Sequence, residues 1–184
     1  MAVRRLAPLL VVALLGALVA PSPTTPRANA AAGPSVVEGA VVAFGEPLPV
    51  ASSATLEDLV GVASTPSGFG WWAVSADGRV AAAGDATSAG DATAAHAPVV
   101  AITAAPAGSG YRIASADGGV FTFGGATFEG SAGAIALRQP IVGMAATPTG
   151  RGYWLVAGDG GVFTYGDARF HGSAGALPLV SPIV

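Results

Sequence analysis

Three adjacent residue pairs in this 184-residue sequence have the chemistry to recognise a ligand: Trp71-Trp72, Tyr111-Arg112 and Tyr153-Trp154. Flat aromatic faces stack on sugars and other ring-shaped groups, and a guanidinium beside them adds charged hydrogen bonding. The second member of each pair, Trp72, Arg112 and Trp154, forms the candidate ligand-binding set, and arginine in place of tryptophan marks a more exposed site. The competing expectation is that aromatics recurring in this way fill the space between packed layers.

Two carboxylates, Asp85 and Asp167, share another recurring position. A carboxylate pair is the apparatus of glycoside hydrolysis, but equivalent positions in different units usually lie too far apart for it. Asp77, Asp117 and Asp159 each precede glycine. With no D-x-[DN]-x-[DN]-G spacing they read as turn residues and not as calcium ligands. Zinc chemistry draws on cysteine and histidine. The chain has no cysteine, and its two histidines, His96 and His171, lie far apart in sequence and read as surface or edge residues. Neither a G-x-S-x-G elbow nor a nucleotide-binding glycine loop occurs. The sequence therefore offers no catalytic residue, no metal site and no cofactor, and the expectation is that the protein is not an enzyme.

The elements that carry these residues repeat. Leu59–Pro66, Val99–Pro106 and Ile141–Pro148 are apolar runs that end in proline. Each is followed by an aromatic-led run beginning at Gly70, Gly110 or Gly152, then by Asp-Gly, then by a third run from Val80, Val120 or Val162. The markers Pro66/Pro106/Pro148, Gly70/Gly110/Gly152 and Asp77/Asp117/Asp159 all advance in one register. Full units span 59–98, 99–140 and 141–181. A half unit, 38–58, precedes them, since Glu38–Gly45 aligns with Asp117–Gly124, and Pro182–Val184 aligns with Pro140–Val142 as the start of a further unit.

Each unit reads as four strands. The first is the run before proline and the second the aromatic-led run, and Asp-Gly between β-rich runs predicts a hairpin to the third. The fourth, weaker strand is expected over Ala126–Ala132 and Ala168–Ala174. Apolar residues on both faces of the second strand predict sheets covered on both sides. Four short strands in about 40 residues is the signature of a propeller blade. The expectation is an all-β, propeller-like array of about four blades, the last combining strands from both termini. The alternative is a β-trefoil. In the first unit Ala81-Ala82-Ala83 replaces the aromatic third strand, which predicts a thinly packed blade.

The run from Gly152 to Ala168, GYWLVAGDGGVFTYGDA, resembles repeats of this length in exported proteins of actinobacteria. That resemblance implies export and a propeller-like fold, and brings no catalytic residue with it.

Arg4-Arg5, an uncharged run Leu6–Ala20 and Ala28-Asn29-Ala30 match a signal peptide over Met1–Ala30 in order and size. Pro21, Pro23 and Pro26 stop the apolar run short of the roughly 20 residues that a membrane anchor needs. The residues around Arg4-Arg5 fit a twin-arginine signal poorly, so ordinary secretion is expected. Beyond Ala30, five arginines face eleven acidic residues, with no lysine anywhere. That distribution lacks the basic stripe a nucleic acid requires. The expected product is a secreted or cell-envelope binding or scaffold module, with cell-wall glycan or another envelope protein as partner, and no membrane span after cleavage. It would be a monomer or a ring-completing dimer. The alternative is a detached accessory domain of a larger exported hydrolase.

Overall fold

The computed structural model of the protein describes residues 58–106 and 110–184. All of them belong to one compact unit. The expected signal peptide, Met1–Ala30, and the expected half unit, 38–58, Asp58 apart, lie outside the described residues.

Among the described residues, nine strands form three antiparallel sheets, each of three strands in sequence order. β1 (Leu59–Ser64), β2 (Gly70–Ser75) and β3 (Val80–Gly84) make the first sheet. The second comprises β4 (Val99–Ala104), β5 (Gly110–Ser115) and β6 (Val120–Gly124), and the third β7 (Ile141–Ala146), β8 (Gly152–Ala157) and β9 (Val162–Gly166). The first three strands of each expected unit thus form where the alternation of apolar runs and turn residues places them. Each first strand carries a bulge, between Leu59 and Gly61, Val99 and Ala101, and Ile141 and Gly143.

The Asp-Gly hairpins follow from local hydrogen bonding. In the second unit Gly118 N donates to the Ser115 carbonyl at 2.9 Å, and Ser115 N to the Gly119 carbonyl at 3.0 Å. The Asp117 carboxylate accepts from Gly119 N at 3.0 Å and from Ser115 Oγ at 2.5 Å. Gly118 takes φ of 87°, a left-handed turn position that glycine adopts without strain. The equivalent aspartates of the other units accept in the same way from Arg79 N and Gly161 N.

The expected fourth strand is not a strand. The segment after each third strand is irregular, and the units are three-stranded. Its glycines, Gly90, Gly130 and Gly172, take φ of 137°, 129° and 117°, which breaks an extended run. The first amide of the neighbouring strand is also spent on side chains. Val80 N donates to Asp91 Oδ1 at 2.6 Å, and Val162 N to Ser173 Oγ at 3.1 Å. In each unit the segment is held by a turn bond at its start, from Ala86, Ala126 and Ala168 N to the carbonyls of Ala83, Phe123 and Tyr165 at 3.3–3.4 Å, and by a bond to the hairpin, from Ala92, Ala132 and Ala174 N to the carbonyls of Gly78, Gly118 and Gly160 at 2.8–2.9 Å.

The sheets stack face to face, with the closest approach between first strands, where Cα atoms of β1 and β4, and of β4 and β7, come within 8 Å. Ladders stay inside each unit, so the described strands do not join into the single barrel that a β-trefoil would need, and the three sheets do not close on one another. Trp72, Val74, Val99, Ile102, Tyr111 and Ile113 fill the first interface, and Ile141, Tyr153, Leu155 and Ala114 the second. All six residues of β5 are buried, as expected for a sheet covered on both sides. In the first sheet Ala81 and Ala83 are also buried.

The residues Pro182–Val184, expected to start a further unit, form no strand. Ile183 N nevertheless donates to the Gly158 carbonyl at 2.9 Å, the same bond that Val99 N makes to Ala76 and Ile141 N to Ala116. Pro182–Val184 thus repeat the contact by which β4 and β7 join the unit before them.

Candidate functional site

The second residue of each aromatic-led strand performs one structural task in all three units. Trp72 Nε1 donates to the Thr87 carbonyl at 2.9 Å, Arg112 Nε to the Thr127 carbonyl at 2.9 Å and Trp154 Nε1 to the Arg169 carbonyl at 2.8 Å. Each ties the irregular segment back onto its own sheet. Trp72 is 1% exposed and Arg112 is fully buried, while Trp154 is half-buried. The ligand-stacking role expected of Trp72 and Arg112 is therefore corrected: a side chain that offers no face to solvent cannot stack a sugar. Arginine at this position marks the most buried of the three sites, not the most exposed.

Arg112 goes further than the tryptophans. Its Nη2 donates to the Gly150 carbonyl of the next unit at 2.8 Å and to Thr127 Oγ1 at 3.2 Å, and Thr127 Oγ1 donates to Glu129 Oε1 at 2.8 Å. The guanidinium carbon lies 5.5 Å from the centroid of the Tyr153 ring. A buried cation with no direct carboxylate partner is costly. Here carbonyl dipoles, the Tyr153 face and a hydroxyl-relayed carboxylate offset that cost, while Nη1 has no hydrogen-bond partner.

Asp85 and Asp167 are equivalents in the first and third units. Each is engaged by hydroxyls of its own unit. Asp85 accepts from Ser67 Oγ at 2.5 Å and Thr65 Oγ1 at 2.8 Å, and Asp167 from Thr149 Oγ1 at 2.5 Å and Thr147 Oγ1 at 2.8 Å. Arg151 Nε adds a long ion pair to Asp167 at 3.8 Å. The signal for this clamp is present in the sequence. The first and third units carry Thr-Pro-Ser or Thr-Pro-Thr together with Asp, whereas the second replaces all three polar residues at once, with Ala105, Ala107 and Gly125.

The hydroxyl donors, chiefly Ser67 and Thr149, hold both carboxyls below the ordinary value of 3.8. A carboxyl whose folded value is depressed stabilises the fold above its unfolded value and loses that contribution as the pH falls through the folded one. Substituting Asp85→Asn and Asp167→Asn together should therefore flatten the fall in melting temperature between about pH 5 and pH 2. A pH–melting curve that keeps the parent's acid limb would show that the clamps are not its source.

His96 and His171 are both exposed, and among the described residues no three histidine, cysteine or acidic side chains converge on a metal position. The features that sequence reasoning overlooked are three exposed phenylalanines: Phe69, Phe128 and Phe170, 67%, 58% and 60% exposed. Phe69 precedes the first residue of β2, whose partner Gly84 ends β3, and Phe128 and Phe170 each lie four residues beyond Gly124 and Gly166, which end β6 and β9. Phe128 and Phe170 are repeat equivalents, and a solvent-facing aromatic at a recurring position outside the strand alternation was the available signal.

No family model matches the chain, and no curated protein matches it either.

Proposed function

We propose that the protein is an exported, non-catalytic binding or scaffold module of the cell envelope or extracellular space, its units arranged as blades of a propeller-like array. The observation that carries this reading is the exposure of Phe128 and Phe170, equivalent positions of two units, together with that of Phe69. Exposed aromatic rings offer flat apolar faces on which glycan rings stack. The groups that hydrolysis would need are otherwise engaged, Asp85 and Asp167 by their hydroxyl donors. The convergence of the sheets on β1, β4 and β7 supports the blade arrangement, as does the resemblance of the Gly152–Ala168 run to exported actinobacterial repeats.

Sedimentation with insoluble peptidoglycan tests the partner. The parent should co-sediment, and the double variant Phe128→Ser, Phe170→Ser should bind about tenfold more weakly, as expected for the loss of about 1.4 kcal/mol of stacking. Equal retention of parent and variant would remove these phenylalanines from the site, and no retention of the parent would remove cell-wall glycan as the ligand.

A further inference from the structure

Aspartate followed by glycine is chemically labile, because a glycine without a side chain lets its own nitrogen reach the carboxyl of the residue before it. The chain has three such turns, at Asp77, Asp117 and Asp159, and the last two form a matched pair. Gly118 N donates to the Ser115 carbonyl and Gly160 N to the Ala157 carbonyl, both at 2.9 Å. Ser115 N donates to the Gly119 carbonyl at 3.0 Å and Ala157 N to the Gly161 carbonyl at 2.8 Å. Ahead of the aspartates, Ala116 N and Gly158 N donate to the carbonyls of Pro98 and Pro140 at 2.8 and 2.9 Å. The carboxylates accept from Gly119 N at 3.0 Å and from Gly161 N at 2.9 Å.

One partner separates the turns. Ser115 Oγ donates to Asp117 Oδ1 at 2.5 Å, and Ser75 Oγ donates to Asp77 Oδ1 in the same way. Arg79 adds an ion pair to Asp77 at 3.2 Å. The third unit carries Ala157 in place of serine, and among the described residues the Asp159 carboxylate accepts only from Gly161 N.

We propose that Asp159 is a site of spontaneous modification, isomerising to isoaspartate through its bond to Gly160 ahead of Asp77 and Asp117. In this reaction the Gly160 nitrogen attacks Asp159 Cγ. An N–Cγ bond forms, the amide proton passes to solvent, and the carboxyl hydroxyl leaves as water, closing a five-membered succinimide. Water then adds back at one of the two ring carbonyls. Cleavage between N and Cγ restores aspartate, whereas cleavage between N and the main-chain carbonyl carbon leaves the chain running through Cβ and Cγ. One water is lost and one regained, so no other reactant is consumed.

The reactive form is the neutral carboxyl, from which oxygen can depart as water. Hydrogen bonds from Ser75 and Ser115 are the leading cause that holds the carboxyls of Asp77 and Asp117 below the ordinary value of 3.8, in the unreactive form. The same bonds fix each carboxylate on its serine, whereas attack requires it to swing onto the glycine nitrogen. The product also fits the third turn badly. A Cβ on Gly160 would meet Ala174 Cβ at 2.8 Å, and the Gly160 carbonyl accepts from Ala174 N at 2.9 Å. An added main-chain carbon displaces that carbonyl and breaks the tie between hairpin and following segment.

The proposal is independent of glycan binding. Its test is incubation of the full chain in warm, mildly acidic buffer, then labelling with isoaspartyl methyltransferase and a radioactive methyl donor, and digestion with trypsin. Cleavage after Arg112, Arg138, Arg151 and Arg169 places Asp117 on Ile113–Arg138 and Asp159 on Gly152–Arg169. Label should accumulate about tenfold faster on Gly152–Arg169, the scale of one hydrogen bond to a charged group. Ala157→Ser should lower this rate to that of Asp117, and Ser115→Ala should raise the label on Ile113–Arg138 to match Asp159. In denaturant the two parent peptides should label alike. Equal labelling of the folded parent's peptides would overturn the proposal, as would label on Gly152–Arg169 that persists in Asp159→Glu. A tenfold difference that survives unfolding would overturn it too, by placing the cause outside the folded contact.

Discussion

Replacing Tyr153 by alanine should lower the melting temperature by about 10–15 °C. That shift is what about 3–5 kcal/mol, the usual cost of truncating a buried aromatic, means for a chain of this size. Tyr153 is fully buried and serves two units at once. Its ring lies 5.6 Å from that of Tyr165 within its own sheet and beneath the Arg112 guanidinium of the preceding unit. Its hydroxyl donates to the Gly130 carbonyl and accepts from Glu129 N at 3.3 Å, holding the irregular segment of the second unit. Burial pushes this phenol above its usual value of 10, so the hydroxyl remains a donor throughout the neutral range. Tyr153→Phe separates the two contributions: it keeps the ring, leaves the Gly130 carbonyl unpaired and should cost only about 1–2 kcal/mol. A Tyr153→Ala shift no larger than that of the exposed Phe170→Ala would show that the second interface does not rest on this residue.

Gly166→Ala should destabilise the third unit by several kcal/mol, while Gly68→Ala in the first should cost only about 1 kcal/mol. The two glycines share a left-handed backbone, φ 64° and 76°, so the conformational penalty is common to both. What differs is the space around them. A Cβ on Gly166 would fall inside the Arg151 carbonyl oxygen and 2.9 Å from Gly152 Cα, whereas a Cβ on Gly68 would meet nothing within 4 Å. The obstructing atoms are backbone and cannot swing aside, so the end of the β8–β9 ladder would have to open. The Asp167 clamp beside it would then loosen. Denaturant unfolding of both variants reads the difference directly, and equal losses would mean that the close approach at Gly166 is relieved at no cost.

Local order was legible in the residues because its causes are local. Proline ends each first strand, Asp-Gly sets each hairpin, and apolar residues on both faces of β2, β5 and β8 require cover from both sides. The shared register of Pro66, Pro106 and Pro148 with the glycines and aspartates after them defines the repeating unit without reference to any contact between units. The expected fourth strand failed because its Gly-bearing segment bonds to side chains and to the phenols of the next unit, partners that periodicity within one unit does not reveal. The candidate site failed for a related reason. Tryptophan and arginine are amphipathic, and their types suit either a stacking surface or a hydrogen-bonded tie in the interior. Only the stacking of sheet on sheet decided between the two, by enclosing Trp72 and Arg112 and leaving Phe128 and Phe170 in solvent. Residue chemistry and spacing determined which side chains could recur together; burial is a property of neighbours distant in the chain, and only the packed structure fixes it.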